Sequence, residues 1–211
     1  MPRRVYDNSQ RQVAAAETRA RILEAAGELL ARDGYAGLSI AALAGSAGVS
    51  PQTIYNSIGG KPDVLKACYD ITIAGDADEV AMSDRPEFRA IWSAPDPAGF
   101  LQRYAVWCAT LHERVAPILG AVLRPGAVTD EAVATFMTTI DTERRTGTTH
   151  AISHLRQQFG LPRGLTTQSA IDLTWTLNAP EVYLRLVHTC GWRRPAYERW
   201  LARQLSAALT D

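Results

Sequence analysis

Residues Gly48–Leu65 read GVSPQTIYNSIGGKPDVL, and this stretch decides how the N-terminal third of the chain is interpreted. Ser50 occupies the position of a helix N-cap, and Pro51 follows at the first helical position, where its missing N–H costs nothing. Ile54 and Ile58 are four residues apart, so they form one narrow apolar stripe on a short helix. The stretch therefore predicts a short helix that is buried along one side only.

The opposite side of this helix carries short polar side chains and no acid. Gln52 and Asn56 point nearly away from the isoleucines, and Thr53, Tyr55 and Ser57 lie on the flanks. Gln and Asn can bond adenine edges in the major groove, and Thr or Ser can bond a base or a phosphate. The face suits DNA, although a polar face on a short helix is also typical of one that only meets solvent.

Gly59 and Gly60 separate this helix from Lys61, which is one of only two lysines in the chain. A cation in the first turn of a helix opposes the helix macrodipole. The opposition is reversed when a phosphate binds there, because the free N–H groups and the lysine then contact the same anion. We therefore expect a phosphate contact at Lys61.

Two more helices precede the quoted stretch. The first extends from Glu17 to Arg32 and ends at Gly34, and the second begins after an N-cap at Ser39. Apolar residues recur at helical spacing in both, namely Ile22, Leu23, Ala26, Leu29 and Leu30, then Ile40, Leu43, Ala44 and Ala47. Three short helices, the last two joined by a tight glycine-containing turn, predict a helix-turn-helix.

Composition describes an ordinary globular chain. Of 211 residues 46% are hydrophobic and 21% charged, and the net charge is zero, although residues 1–66 carry a surplus of two positive charges. The sequence lacks a long apolar run and an N-terminal secretion signal, so we expect a cytoplasmic protein with no membrane contact. Cys68, Cys108 and Cys190 form no CxxC pair, and we expect three buried thiols.

Helical spacing continues to the C-terminus, which predicts an all-α fold. A fourth helix is expected from Lys61, a partly irregular connection near residues 76–96, and a helix after Pro97 that stops or bends at Pro117. Further helices are expected from Asp130 to Phe159, with a break near Gly147, from Thr167 to Cys190 with a bend at Pro180, and from Pro195 to Leu209. No alternating β pattern competes with these helices.

Residues 17–69 resemble the N-terminal DNA-binding domain of the TetR family of transcriptional regulators. The matching pieces are ILEAAGELLARDGYAGLSIAALAGSAGVS, then TIY, then GGK. The resemblance implies that Pro51–Ser57 reads the major groove, that Thr53 contacts the groove, and that Tyr55, Lys61 and Ser39 contact phosphate. The complete set of expected DNA-binding residues is Ser39, Ser50, Gln52, Thr53, Tyr55, Asn56, Ser57 and Lys61.

This chain departs from the family pattern after the tyrosine. Asn56, Ser57 and Ile58 replace the aromatic-His-Phe run that often follows there, which leaves the recognised bases open. Arg3, Arg4 and Arg11 form either a minor-groove arm or a disordered soluble tail. We expect a flexible tail at residues 1–14, the helix-turn-helix domain at 15–66, and a ligand-binding and dimerisation domain at 67–211.

A helix-turn-helix usually binds DNA as a two-fold dimer on a palindromic operator. The last two helices supply more apolar surface than one packing face needs, and the resemblance implies that such helices form a four-helix dimer bundle. The expected interface residues are Leu173, Leu177, Leu184, Val187, Trp200, Leu201 and Leu205. The alternative is that both helices only complete the core of the monomer.

The resemblance also implies a small-molecule pocket among the middle helices. The candidate lining residues are Tyr104, Trp107, His112, Phe136, Met137, Trp175 and Asn178. Aromatic residues at helical spacing are also typical of a plain core. His150 and His154 share a helix face at zinc-ligand spacing, but the sequence offers no third ligand, no cofactor motif and no catalytic motif.

Two functions remain open from the sequence. The first is a dimeric, ligand-responsive repressor that is released from DNA by a small-molecule inducer. The second is an all-α ligand-binding or partner-binding protein whose helix-turn-helix does not read DNA. Enzymatic activity is not expected.

Overall fold

The computed structural model describes residues 8–75, 85–123 and 130–210. This part of the chain contains ten α-helices, one π-helical segment and no strand, so the predicted all-α fold is confirmed. None of its helices is long and apolar enough to span a membrane. The helices are α1 (Asn8–Gly37), α2 (Ile40–Ala47), α3 (Pro51–Ser57), α4 (Lys61–Ala74), α5 (Pro86–Trp92), α6 (Pro97–Val122), α7 (Glu131–Phe159), α8 (Thr167–Leu177), α9 (Pro180–Tyr183) and α10 (Arg194–Leu209), with the π-helical segment at Leu184–Thr189.

Helix α1 is longer than its apolar stripe predicts. It begins at Asn8, so residues 8–14 are helical rather than part of a flexible tail, and Arg11 is exposed on it. Arg3 and Arg4 lie outside the described residues. The predicted end at Gly34 is visible as a kink, because Gly34 has φ 71° and ψ −177°, which only glycine adopts readily.

Both predicted N-caps of the helix-turn-helix are confirmed. Ser39 Oγ accepts the N–H of Ala42 at 3.1 Å, and Ser50 Oγ accepts the N–H of Thr53 at 3.1 Å. Gly48 ends α2 in the left-handed conformation, with φ 64°. The Thr53 N–H also lies 3.0 Å from the backbone carbonyl oxygen of Ser50, so Ser50 Oγ shares this donor. An N-cap of this kind contributes about 1 kcal/mol to stability.

The described residues divide into two units. The first comprises residues 8–75, 117–123 and 130–136, and the second comprises residues 85–116 and 137–210. A boundary at residue 66 was expected from the sequence. Helices α6 and α7 each contribute residues to both units.

The core of the first unit joins α1 to the helix-turn-helix. Its apolar members on α1, α2, α3 and α4 are all at most 5% exposed: Ile22, Leu23, Ala26, Leu29, Leu30, Leu43, Ile54, Val64 and Leu65. These positions agree with the helical spacing read from the sequence. Complete burial of a Leu or Ile contributes roughly 1.5–3 kcal/mol, so this core fixes the orientation of α3.

The second unit contains several departures from the sequence prediction. Pro86–Trp92 forms a regular helix within the segment near residues 76–96, which was expected to be partly irregular. Helix α6 continues through Pro117 to Val122. Pro117 removes one hydrogen bond from α6 without ending it. Helix α7 also continues through Gly147. The predicted Thr167–Cys190 helix is divided into α8, α9 and a π-helical segment.

The cysteines do not share one environment. Cys68 and Cys108 are buried, as expected, and burial raises the pKa of both thiols. Cys190 is exposed, so the prediction of three buried thiols is wrong for this residue. Cys190 is the C-cap residue of the π-helical segment.

Candidate functional site

Contacts along its buried side and at its C-terminal end hold helix α3 in place. Ile54 is completely buried and Ile58 is half-buried, so the predicted stripe faces the core. Arg19 on α1 donates from a guanidinium nitrogen to the carbonyl of Ser57 at 2.8 Å. These contacts leave the opposite face of α3 open to solvent.

The open face presents the predicted polar side chains. Gln52, Tyr55 and Asn56 are exposed, and Gln52 Nε2 donates to Asn56 Oδ1 at 2.8 Å. The hydroxyls of Ser50 and Thr53 are 2.8 Å apart, so the cap also orients Thr53. The two amides and Thr53 therefore form one ordered polar surface that carries no formal charge.

Lys61 extends over an aromatic ring. Its Nζ lies 4.0 Å from the ring centroid of Tyr35, which is buried. Burial raises the pKa of the Tyr35 hydroxyl, with a smaller contribution from the carboxylate of Asp130. The ring orients the ammonium group without cancelling its charge. Within the described ranges Lys61 forms no ion pair with a carboxylate, so its charge is available for a phosphate.

The turn before Lys61 differs from the expected arrangement in one respect. The N–H of Gly60 donates to Asp63 Oδ2 at 2.8 Å, so it is not free for a phosphate. Asp63 also lies in the first turn of α4, where a carboxylate stabilises the helix dipole. The phosphate contact expected here consequently depends on the ammonium group of Lys61.

The expected dimer interface is only partly available at the surface. Leu173 is 42% exposed, and Leu177, Leu184, Val187 and Trp200 are half-buried. Leu201 and Leu205 have no exposed surface, because they belong to the core of the second unit. The prediction that these two residues contact a partner is wrong, since α10 turns that side inward.

The expected ligand residues do not all share one environment. Phe136 packs edge-on against Tyr69 at 5.4 Å, within the first unit. Trp107 packs against Phe88 at 5.9 Å, and Met137 is half-buried. Phe136 therefore belongs to the first unit, whereas the other expected ligand residues lie in the second.

His112, Tyr104 and Asn178 are buried polar residues of the second unit. Tyr104 and His112 lie two turns apart on α6, and Asn178 follows α8. His112 Nδ1 is 3.4 Å from the hydroxyl of Tyr197. Burial, with a smaller contribution from the positive charge of Arg144, lowers the pKa of His112 to about 3. The imidazole is therefore neutral at physiological pH.

Arg144 on α7 organises this polar region, and the sequence analysis did not identify it. One guanidinium nitrogen donates to the carbonyls of Trp175 and Asn178, at 2.6 and 3.2 Å, and the other donates to Asp141 at 2.7 Å. The guanidinium also lies 4.9 Å from the Trp175 ring centroid. The available signal was the acid three residues before it on a helix, a spacing that allows an ion pair.

Three buried atoms around Arg144 have no hydrogen-bond partner among the described residues: Arg144 Nε, Trp175 Nε1 and Asn178 Oδ1. An unpaired buried polar group costs about 1–3 kcal/mol, so such groups are rare unless they serve a function. We name Arg144, Trp175 and Asn178 the Arg144 cluster.

His154, one of the two histidines at metal-ligand spacing, packs against aromatic rings. The ring of His154 lies 4.1 Å from the ring of Trp92 and 5.4 Å from that of Phe100. Burial lowers the pKa of His154. In the described part of the chain, no group of three or more His, Cys, Asp and Glu side chains is arranged to hold a metal ion.

Comparisons with known proteins agree with the geometry. Residues 22–68 match the model of the bacterial regulatory proteins of the tetR family. No curated protein matches the chain. A protein described as a TetR-family transcriptional regulator from Rhodococcus sp. is similar in structure, with a TM-score of 0.67 at 19% identity, covering 92% of this chain and 99% of that one.

Two ligand complexes are also similar. The transcriptional regulator FadR from Bacillus subtilis with stearoyl-CoA has a TM-score of 0.67 at 17% identity, covering 88% of this chain and 96% of that one. A transcriptional regulator from Saccharomonospora viridis with choline has a TM-score of 0.63 at 17% identity, covering 92% and 98%. The family model thus matches the helix-turn-helix, and these three similar structures, each under 25% identical, share the fold of most of the chain.

Proposed function

We infer that this regulator binds a palindromic DNA operator as a homodimer, represses transcription there, and is released by a small-molecule inducer. The observation that carries the proposal is the face of α3, an uncharged, ordered row of polar side chains followed in the chain by Lys61, which pairs with no carboxylate among the described residues. Amides read base edges, and a lysine beside them binds the phosphate backbone. DNA is therefore the partner that this surface fits best.

Dimer formation would use the surface that the second unit leaves uncovered on α8, along the π-helical segment and at Trp200 on α10. Leu173, Leu177, Leu184, Val187 and Trp200 are the members of the expected interface that keep exposed surface. Two copies joined there would present two α3 helices to successive major grooves, about 34–36 Å apart or a multiple of that spacing.

Release by a ligand is supported by the family's structures and by the buried polar groups of the second unit. The similar regulators were crystallised with stearoyl-CoA and with choline, which are chemically unlike. The shared fold therefore does not fix the chemistry of the effector. An effector acts only through its different affinities for the DNA-bound and the released states.

Binding to duplex DNA from beside the chain's own gene, measured over a range of salt concentrations, tests the proposal. Lys61→Met should weaken binding and reduce the salt slope by about 1.8 for a dimer, because two phosphate contacts are lost. Lys66→Met is a matched control on the same helix, since Lys66 is paired with Asp70 at 2.6 Å.

Gln52→Ala and Asn56→Ala should each reduce the preference for the operator over random DNA, by about 1–3 kcal/mol, with little change in the salt slope. Absence of salt-dependent DNA binding would instead support the second reading, a ligand-binding protein whose helix-turn-helix does not read DNA.

A further inference from the structure

The Arg144 cluster has the composition of a binding site for a small hydroxy carboxylate. Its unpaired atoms are two N–H donors, at Arg144 and Trp175, and one acceptor, at Asn178. All three residues are joined through one guanidinium, which contacts the carbonyls of Trp175 and Asn178 and stacks on the Trp175 ring. The three residues are therefore neighbours around one guanidinium.

The charge balance around the cluster favours an anion. Arg144 has only 16% of its side chain exposed, whereas its partner Asp141 is 46% exposed and shares its charge with water. The buried polar residues of the described chain are His112, Thr148, Thr174 and Asn178, none of which is acidic. His112 is neutral because its pKa is lowered to about 3. The only carboxylate of the described residues paired with the guanidinium is thus the partly exposed Asp141, and none of the buried residues adds a negative charge that would repel an anion.

The unpaired acceptor, Asn178 Oδ1, indicates a second functional group that the anionic ligand would carry. A carboxylate alone would satisfy Arg144 Nε and Trp175 Nε1 but would leave Asn178 Oδ1 without a donor, and Asn178 is only 5% exposed. A hydroxyl group beside the carboxylate supplies that donor. Tyr104, Tyr183 and Tyr197 belong to the hydrophobic core of the same unit, so an apolar or aromatic body matches the chemistry of the side chains there.

We propose that the effector of this regulator is a small hydroxy carboxylate with an apolar or aromatic body, bound through its carboxylate to Arg144 Nε and Trp175 Nε1 and through its hydroxyl to Asn178 Oδ1. This proposal rests on the ligand-responsive function proposed above and names the chemistry of its ligand. Such a ligand differs from choline, which is a cation, and from stearoyl-CoA, whose acyl group is a thioester rather than a free carboxylate.

The test measures direct binding of four matched probes to the full chain by calorimetry, without DNA. Mandelate carries both groups, phenylacetate lacks the hydroxyl, mandelamide lacks the charge, and 2-amino-1-phenylethanol replaces the carboxylate by a cation. We expect mandelate to bind about fivefold more tightly than phenylacetate and at least about tenfold more tightly than mandelamide. The amine is expected not to bind. Equal or stronger binding of the amine, or no binding of mandelate, overturns the proposal.

Variants locate the binding within the cluster. Trp175→Phe keeps the ring and removes only the N–H, so it should weaken mandelate binding about tenfold while leaving the melting temperature of the free protein unchanged or higher. Trp192→Phe is the matched control, because Trp192 packs on Trp200 outside the cluster. Asn178→Leu should remove the difference between mandelate and phenylacetate.

Unchanged mandelate affinity in Trp175→Phe would refute the assignment, because the indole N–H would then not contact the ligand. Operator binding is measured separately on the same preparations. A protein that binds a palindrome but none of the acids would retain the proposed DNA-binding function and lose this inference.

Discussion

Replacement of Gly59 by alanine should destabilise the turn that presents Lys61. Gly59 has φ 130°, a conformation that residues with a side chain rarely adopt. An added Cβ would also lie 2.8 Å from Cγ and 2.9 Å from Cβ of Asp63, closer than real Cβ contacts. Asp63 cannot move away without weakening the hydrogen bond that it accepts from Gly60.

The cost has two parts. The backbone conformation costs of order 1–3 kcal/mol for a residue other than glycine. Loss of the Asp63 cap adds about 1 kcal/mol, so the free energy of unfolding should fall by about 2–4 kcal/mol. Gly45→Ala is the control, because Gly45 lies in α2 with no atom within 4 Å of the added Cβ, and it should stabilise the helix by about 0.5–1 kcal/mol.

Urea titrations followed by circular dichroism would measure both variants. All five tryptophans lie in the second unit, so their fluorescence reports separately on that unit. Equal midpoints for Gly59→Ala, Gly45→Ala and the wild type would refute the reasoning. The result would mean that the turn relaxes without strain and does not fix the position of Lys61.

Three further outcomes follow from the described contacts. Ser50→Ala should lower the free energy of unfolding by about 1 kcal/mol in the same titrations, because the Thr53 N–H loses its cap. Leu201→Ala should cost about 2–5 kcal/mol of stability, whereas Leu173→Glu should instead shift the mass measured by light scattering toward the monomer. Stability should fall by up to about 1.4 kcal/mol per pH unit between pH 6.5 and 3, because unfolded His112 binds a proton that the folded residue excludes, and this fall should be reduced in His112→Phe.

The helix-turn-helix was predictable in detail because its signals are local. Ser39, Ser50 and Pro51 fix helix starts within a few residues, and the burial of Ile54 follows from the apolar spacing. The N-terminal extension of α1 was not predictable from an apolar stripe, since residues 10–14 of this helix are exposed.

The second unit was less predictable because its sites depend on contacts between distant helices. The separation of Phe136 from the other ligand candidates, and the burial of Leu201 and Leu205, depend on which way each helix faces. In the sequence, Arg144 is indistinguishable from a surface charge, because its carbonyl partners at the C-terminal end of α8 are distant in the chain. Helical spacing identifies the apolar face of each helix but does not indicate which faces of different helices pack together.

Selection of bound sequences from a random duplex pool tests the central claim most directly, since the claim is that α3 reads bases in two successive grooves. We expect enrichment of a palindrome whose half-site centres lie about 34–36 Å apart or a multiple of that spacing, and loss of the enrichment at the α3-facing positions in Gln52→Ala and Asn56→Ala. Recovery of unselected sequences, or of a palindrome that these two variants recover unchanged, would contradict the account.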